Sequence, residues 1–164
     1  MSGIKVLPRK ELSPYQPSDL WTQRENDVFL KYCPSKRDQA YHSMAIDTSC
    51  RPHELLGLKI KDLKFKLSSK GVQYAEVLVS GKTKTRTVPL LSSLPYVKEW
   101  IRDHPLGENP NSWLFVALNK SNYGQKISPG GLLRHFVINS KRIFIILMDD
   151  NYRIKIGKNH SNAI

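Results

Sequence analysis

Three short apolar segments in the middle of the chain, separated by turn sequences, constrain its fold more than any other feature. The segments cover residues 63–67, 74–79 and 86–90, and their composition is typical of β-strands. The intervening sequences 68–71 and 80–83 contain serine and glycine, which favour turns. This order predicts a small antiparallel β-sheet.

Helical patterns lie on both sides of this sheet. Thr22 and Glu25 have the spacing of a capping box, and Ser35 begins a second helix in the same way. Pro52 suits the first turn of a short third helix, and the pair Ser92-Ser93 is interpreted as the cap of a fourth. The fold class is therefore α+β and mostly helical. Apolar residues recur at helical spacing in Val28, Phe29, Tyr32 and Cys33, in Ala40, Tyr41, Met44 and Ala45, in Leu94, Val97, Trp100 and Ile101, and in Leu132, Leu133, Phe136 and Val137.

The chain carries a large excess of positive charge. Its 164 residues include 26 lysines and arginines but 14 aspartates and glutamates, which gives a net charge of +12. Basic proteins gain affinity for nucleic acids because their phosphate contacts release condensed counterions. We therefore expect a nucleic acid as a partner. A basic surface that serves only solubility is the alternative.

Other classes of function find little support in the sequence. No apolar run approaches the roughly 20 residues of a membrane-spanning helix, and the first residues lack the apolar core of a secretory signal. We therefore expect a cytoplasmic protein without a membrane partner. Cys33 and Cys50 have no metal-ligand spacing and are predicted to be buried thiols, with a disulfide as the alternative. No glycine-rich phosphate loop is present, so we expect neither a metal nor a small-molecule cofactor.

Arg51 is the candidate for phosphate chemistry. It stands at the predicted start of the third helix, and Glu54 follows one turn later. A guanidinium matches the oxygens of a phosphodiester in a bidentate way, and free backbone amides at a helix start add to the attraction. Glu54 would then hold the guanidinium in place. The alternative is an ordinary surface salt bridge between the two side chains, worth less than about 1 kcal/mol.

The sequence around Arg51 resembles the first catalytic box of the tyrosine recombinases, also called phage integrases. In that family the box runs threonine, glycine, any residue, arginine, two further residues, glutamate and leucine. Residues 47–63 follow this order, with Ser49 in place of the usual glycine. Residues 12–22 resemble the entry to the catalytic domain in archaeal members. The resemblance implies an integrase-like catalytic domain of DNA recombination and integration, in which Arg51 is catalytic and binds the scissile phosphate.

The hairpin between the second and third strands carries another part of the resemblance. In the family a lysine follows a glycine on a β-hairpin turn and serves the leaving 5′ oxygen, and Gly81-Lys82 has this arrangement. The resemblance therefore implies that Lys82 is catalytic, as a general acid. Lys84 and Arg86 would then bind DNA phosphates. The alternative is a solvated basic hairpin tip.

The second half of the family's active site has no convincing counterpart. It consists of a histidine-x-x-arginine box and a later tyrosine, the nucleophile that forms a covalent phosphotyrosine. Arg134-His135 resembles part of this box, but Gly131 stands where the histidine belongs, and Tyr152 follows too closely. We therefore predict that the chain is truncated before the box. Residues 130–136 would then form the helix that precedes the box in archaeal relatives.

These observations predict three parts of the chain and one main function. Residues 1–20 are expected to be an extended arm, 21–148 the N-terminal part of an integrase-like catalytic domain, and 149–164 a disordered or frameshifted tail. The chain is expected to bind DNA, alone or as a homo-oligomer, without cutting it by itself. Two alternatives stay open. One is an enzyme whose missing residues come from a partner subunit, and the other is a non-catalytic module that binds nucleic acid or protein.

Overall fold

The structure, a computed structural model, describes residues 21–81, 84–136 and 138 of the chain. This part contains five helices and three strands in the order helices, sheet, helices, which confirms the predicted α+β class. The longer elements are, in chain order, α1 (Gln23–Tyr32), α2 (Lys36–Thr48), α3 (Pro52–Leu55), β1 (Leu63–Leu67), β2 (Gln73–Ser80), β3 (Thr85–Leu90), α4 (Leu94–Arg102) and α5, which begins at residue 129 and is described as helix through residue 136.

The sheet is an antiparallel meander in the order β1-β2-β3. In the central strand, Val77 stands opposite Leu63 of β1 and Val88 of β3. Because side chains alternate between the two faces of a strand, every second residue of β2 points into the protein. Ala75, Val77 and Val79 are fully buried on that face. The three predicted strands are therefore confirmed, with bounds that differ by one residue at most.

The main core lies between the inward face of the sheet and the helices α2 and α4. Met44 of α2 and Val97 of α4 are fully buried in the same cluster as the inward residues of β2. Trp100 of α4 donates a hydrogen bond from Nε1 to the carbonyl of Leu114, at 2.7 Å. This bond satisfies the one polar atom of a buried indole and fastens the segment after α4 to the core.

A second, aromatic cluster docks α5 on α1. The ring centroids of Trp21, Phe29 and Phe136 lie 5.3 to 5.8 Å from one another. The imidazole of His42 packs edge-on against Phe29, and burial lowers its pKa to about 4. His42 is therefore neutral at physiological pH and behaves as a core ring. These contacts fix α5, through Phe136, relative to the N-terminal helices.

The predicted helix starts and cysteine states are confirmed. The Glu25 amide donates to Thr22 Oγ1 at 3.3 Å and the Thr22 amide donates to the Glu25 carboxylate at 2.7 Å, which completes the capping box. Ser35 accepts a hydrogen bond from the Asp38 amide at 3.3 Å. Cys33 and Cys50 are buried free thiols.

The interpretation of Ser92-Ser93 as a side-chain cap is wrong. Ser93 is the residue that precedes α4, but its side chain makes no capping hydrogen bond. Both serine hydroxyls donate instead to the carboxylate of Asp47 near the end of α2, which also accepts the amides of Leu91 (2.9 Å) and Ser93 (2.8 Å). The hydroxyl protons are thus directed at the charged acceptor of α2, and neither serine oxygen accepts an amide of the first turn of α4.

The ends of the chain lie outside the described residues. The predicted arm 1–20, with most of the archaeal-like sequence, and the predicted tail 149–164 are both among the residues that the structure does not describe. Within the described ranges, none of the helices has the length and apolar character that crossing a bilayer requires.

The Asp47 carboxylate should make stability depend on pH. Partial desolvation alone would raise the pKa of Asp47, but its hydrogen bonds from Ser92, Ser93 and Leu91 outweigh that effect and lower it. Stabilisation by a lowered pKa is complete above the unfolded value and is lost as the pH falls through the folded value. We therefore expect Asp47→Asn to reduce the free energy of unfolding by about 1–2 kcal/mol at pH 7, and by much less near pH 3.

Urea denaturation at both pH values measures this difference. Asp27→Asn is the matched control, since Asp27 accepts one hydrogen bond, from the Gln23 side chain, on the exposed surface of α1. It should change stability by less than about 0.5 kcal/mol. An equal loss for Asp47→Asn at pH 7 and pH 3 would contradict the role assigned to the ionised carboxylate.

Candidate functional site

The corner between α2 and α3 presents Arg51. Helix α2 ends at Thr48, and the next residue, Ser49, has a left-handed backbone, with φ 49° and ψ 28°. After this turn, Arg51 directly precedes Pro52, the first residue of α3. A left-handed residue after a helix is usually glycine, because glycine has no Cβ to clash with the backbone. The tyrosine recombinase box has glycine at this position. Ser49 is not a glycine, but it adopts the left-handed conformation that glycine favours.

Glu54 connects the start of α3 to the base of the β2–β3 hairpin. Its carboxylate is buried and accepts the backbone amide of Arg51 at 3.0 Å. The same carboxylate receives the guanidinium of Arg86 in β3, at 3.0 Å from Nη2 and 3.4 Å from Nη1. One buried carboxylate therefore holds two parts of the chain that are 32 residues apart in sequence.

Gly81 lets the hairpin approach Glu54 closely. A Cβ atom at this position would lie 2.6 Å from the Glu54 carboxylate oxygen Oε1 and 3.6 Å from the Arg86 guanidinium. The Gly81 amide also donates to the Lys84 carbonyl at 3.0 Å, which closes the turn. A side chain at residue 81 would have to displace either the paired Glu54 carboxylate or the hairpin itself. The glycine before the family's lysine position thus has a steric reason in this fold.

The charges of this cluster stabilise one another. The hydrogen bond from Arg86, followed by the one from the Arg51 amide, holds the pKa of Glu54 below its ordinary value, against the opposing effect of desolvation. The bond to Glu54 likewise raises the pKa of Arg86. Both groups are therefore ionised at physiological pH. The Cys50 sulfur lies 3.3 Å from Arg86 Nη2 and completes the surroundings of the guanidinium.

The predicted site residues fall into two groups. Arg51, Lys84 and Arg86 are described, and all three are exposed at the same end of the sheet as Glu54. Lys82 lies outside the described residues, so its predicted place beside Arg51 stays a prediction. Its neighbours in sequence, Gly81 and Lys84, form the described base of the hairpin tip.

The partner of Glu54 differs from the one that the sequence suggested. Its three-residue distance from Arg51 favoured an ion pair between the two side chains. Among the described residues, Glu54 pairs instead with the guanidinium of Arg86, and it contacts Arg51 through the backbone amide. The Arg51 guanidinium is therefore not neutralised by Glu54. A long-range pair of this kind leaves no spacing signal in the sequence, and neither does the Cys50–Arg86 contact.

The region of the family's second box shows a helix start and a polar groove. Gly131 donates its amide to Ser128 Oγ at 3.0 Å, so Ser128 caps α5. Arg134 and His135 are exposed and line a groove of about 650 Å³. In the described part of the chain, neither side chain hydrogen-bonds to the cluster around Glu54.

The described residues contain no candidate metal site. Within residues 21–81, 84–136 and 138, histidine, cysteine, aspartate and glutamate side chains form no group of three or more that could hold a metal ion. The charged groups described near the corner of α2 and α3 are the guanidinium groups of Arg51 and Arg86, the ammonium group of Lys84 and the buried carboxylate of Glu54.

An arginine at a helix start, fixed to the base of a hairpin with a glycine–lysine turn, is the arrangement that the resemblance implies for phosphate binding. Comparison with known families matches residues 21–142 to the description "Phage integrase family". The chain belongs to the phage integrase family. No curated protein matches the chain. Membership in the phage integrase family supports a DNA recombination role of the tyrosine recombinase kind, with DNA as the partner.

Ser49 gives a direct test of the α2–α3 corner. An L-residue in the left-handed region costs roughly 1 kcal/mol, and glycine removes most of this cost. We expect Ser49→Gly to raise the free energy of unfolding by about 0.5–1 kcal/mol, as measured by urea denaturation.

Ser69→Gly, in the exposed β1–β2 turn, is the matched control. Among the described non-glycine residues Ser49 alone has a positive φ, so Ser69→Gly only adds freedom to the unfolded chain. It should leave stability unchanged or lower it slightly. A loss of stability in Ser49→Gly would show that the corner is not strained.

Proposed function

We propose that the chain is a DNA-binding recombinase domain in which Arg51 and Lys82 act on one phosphate and Lys84 lies beside it. The supporting observation is the Glu54 carboxylate, which joins the amide of Arg51 to the guanidinium of Arg86. This link brings the helix start and the hairpin base together. A phosphodiester bound between them would meet positive charge from two directions.

The charge around Glu54 favours Arg51 and Lys84 as phosphate contacts over Arg86. The charge of Arg86 is offset by the buried carboxylate of Glu54, which it contacts at 3.0 Å. Arg51 and Lys84 are exposed, and no carboxylate in the described part of the chain forms a salt bridge with either. Arg86 then supports the site through Glu54 and contacts DNA only with the exposed part of its side chain.

We further propose that the chain is an archaeal-type member and that its 164 residues do not contain the family's second box and nucleophile. None of the five histidines in the sequence has an arginine three residues later. Tyr152 follows Arg134-His135 by fewer residues than the family requires between box and tyrosine. Without these groups the site binds phosphate and stabilises charge, but no covalent step begins.

DNA binding should depend strongly on salt and weakly on sequence. From the net charge of +12 we expect a dissociation constant on the order of 10⁻⁴ to 10⁻⁶ M at physiological ionic strength. Arg51→Ala should weaken binding about tenfold and reduce the slope of affinity against salt by about one counterion, because one charge-assisted phosphate contact is lost.

Fluorescence anisotropy with a labelled duplex over a series of salt concentrations measures both quantities. Arg102→Ala is the matched control, since Arg102 is a well-exposed arginine of α4 that contacts Asp103. It should change the affinity less than about twofold. If the two substitutions weakened DNA binding equally, Arg51 would not be a specific phosphate contact. The alternative of a non-catalytic binding module would then be favoured.

The chain alone should form no covalent complex with DNA. A phosphotyrosine needs a tyrosine held in line with the phosphorus and donors for the developing charge. Suicide duplexes that trap the intermediate should give no shifted band in a denaturing gel, while a complete family member run in parallel gives one. A trapped band that disappears in Tyr152→Phe would show a complete enzyme. A band that forms only when a tyrosine-bearing relative is added would show a site shared between subunits.

A further inference from the structure

The open edge of the sheet at β1 combines unpaired backbone with an alternating side-chain pattern. Strand β1 occupies one edge of the sheet and is paired to β2 alone among the described residues. Its sequence, Leu-Lys-Phe-Lys-Leu, alternates apolar and basic residues. A strand with one free edge can accept a further strand through its backbone amides and carbonyls.

The apolar side chains of β1 lie on one face of the sheet and extend beyond the core. Leu63 and Phe65 stand opposite the buried Val77 and Ala75, so they share the inward face. Leu63 is buried, but Phe65 is 47% exposed and Leu67 is 66% exposed. We call Phe65 and Leu67 the β1 apolar patch. It borders a depression of about 270 Å³ beside Gln73 and Lys98.

The charges around the β1 apolar patch are positive. Residues 63–72 contain three lysines and no acidic residue. Lys64 and Lys66 project from the opposite face of the strand, where Glu76 of β2 forms one ion pair, with Lys66 at 2.6 Å. On the inward side, Lys98 of α4 places its ammonium 6.0 Å from the ring centre of Phe65.

We propose that the β1 edge binds an extended segment of a partner protein in which acidic and apolar side chains alternate. In this pairing the apolar side chains cover Phe65 and Leu67 on one face. The acidic side chains stand opposite Lys64 and Lys66 on the other face, where opposite charges on neighbouring strands stabilise each other.

The alternation of apolar and basic residues in β1 disfavours two other binding partners at this edge, a second copy of the chain and DNA. A second copy of β1 would place lysines beside lysines, and like charges on neighbouring strands are destabilising. Edge lysines are a common means by which proteins prevent such self-pairing. A DNA backbone would use the ammonium groups but would leave the exposed Phe65 and Leu67 in contact with charged phosphates, which apolar groups do not favour.

The proposed surface lies at the far end of the sheet from Arg51. The β1–β2 turn adjoins Gln73, whereas Ser80 at the other end of β2 adjoins the hairpin near Glu54. The eight residues of β2 span roughly 26 Å. A peptide on β1 and a phosphate at Arg51 can therefore be bound at the same time.

Binding of a model peptide tests the proposal. The probe is a fluorescein-labelled peptide of repeated Glu-Val pairs, measured by fluorescence anisotropy against the full chain. We expect saturable binding of the Glu-Val peptide. A peptide of the same composition in scrambled order should bind at least about tenfold more weakly, and a peptide of repeated Lys-Val pairs should not bind. Binding should persist when the chain is saturated with duplex DNA.

Substitutions on β1 locate the site. Leu67→Ser should weaken peptide binding about tenfold through the loss of apolar contact, and Lys64→Gln about threefold through the loss of one charge. Leu78→Ser is the matched control: Leu78 is 43% exposed but lies on the outward face of β2 and should leave binding unchanged. Circular dichroism and thermal denaturation confirm that each variant is folded.

Each other outcome overturns the proposal. Equal binding of the ordered and scrambled peptides would indicate attraction of charge alone. Self-association of the chain that is lost in Leu67→Ser would assign the edge to a second copy. Displacement of the peptide by DNA, with weaker DNA binding in Lys64→Gln, would assign it to nucleic acid. Absence of any peptide binding would leave the edge without the proposed partner.

Discussion

The buried carboxylate of Glu54 is the interaction on which the candidate site depends. It accepts the amide of Arg51 at one oxygen and pairs with the guanidinium of Arg86, so it fixes the start of α3 to the base of the β2–β3 hairpin. A buried carboxylate without such partners would be strongly unfavourable. The donors that compensate for the burial of Glu54 therefore also hold α3 and the β2–β3 hairpin together. Gly81 is part of this arrangement, because a side chain there would have to displace either the carboxylate or the hairpin itself.

Local features of this fold could be predicted from sequence, and long-range polar pairs could not. The capping box of Thr22 and Glu25 and the strands around Val77 depend on neighbouring residues, whose chemistry and spacing are visible in the sequence. The partners of Asp47 lie 44 to 46 residues away, and the partner of Glu54 lies 32 residues away. Such pairs are decided by how the elements pack. The serines predicted to cap α4 donate to the distant Asp47 carboxylate, and Glu54 accepts from the distant Arg86 instead of forming an ion pair with Arg51.

The sequence predicted the position of Arg51 in the fold, but not how the charged side chains around it pair. The resemblance placed Arg51 at a helix start, and the structure has it directly before α3. It also gave Arg86 the role of a phosphate contact, whereas the structure commits much of that guanidinium to Glu54. The difference matters for electrostatics, since a paired arginine adds little net field at a phosphate while an unpaired one adds its full charge. At the proposed phosphate site, Arg51 and Lys84 therefore offer more net positive charge than Arg86, which is paired with Glu54.

The central strand β2 relates the two proposed surfaces. Its inward residues Ala75, Val77 and Val79 are fully buried, so the middle of the strand is packed into the core. One end of it leads into the hairpin beside Glu54, and the other leads into the turn beside the β1 apolar patch. In the described part of the chain, Gln73 and Ser80 at these two ends share no side-chain hydrogen-bond partner. The two proposed surfaces are therefore separate in space, so a partner at β1 would leave the proposed phosphate contact of Arg51 accessible.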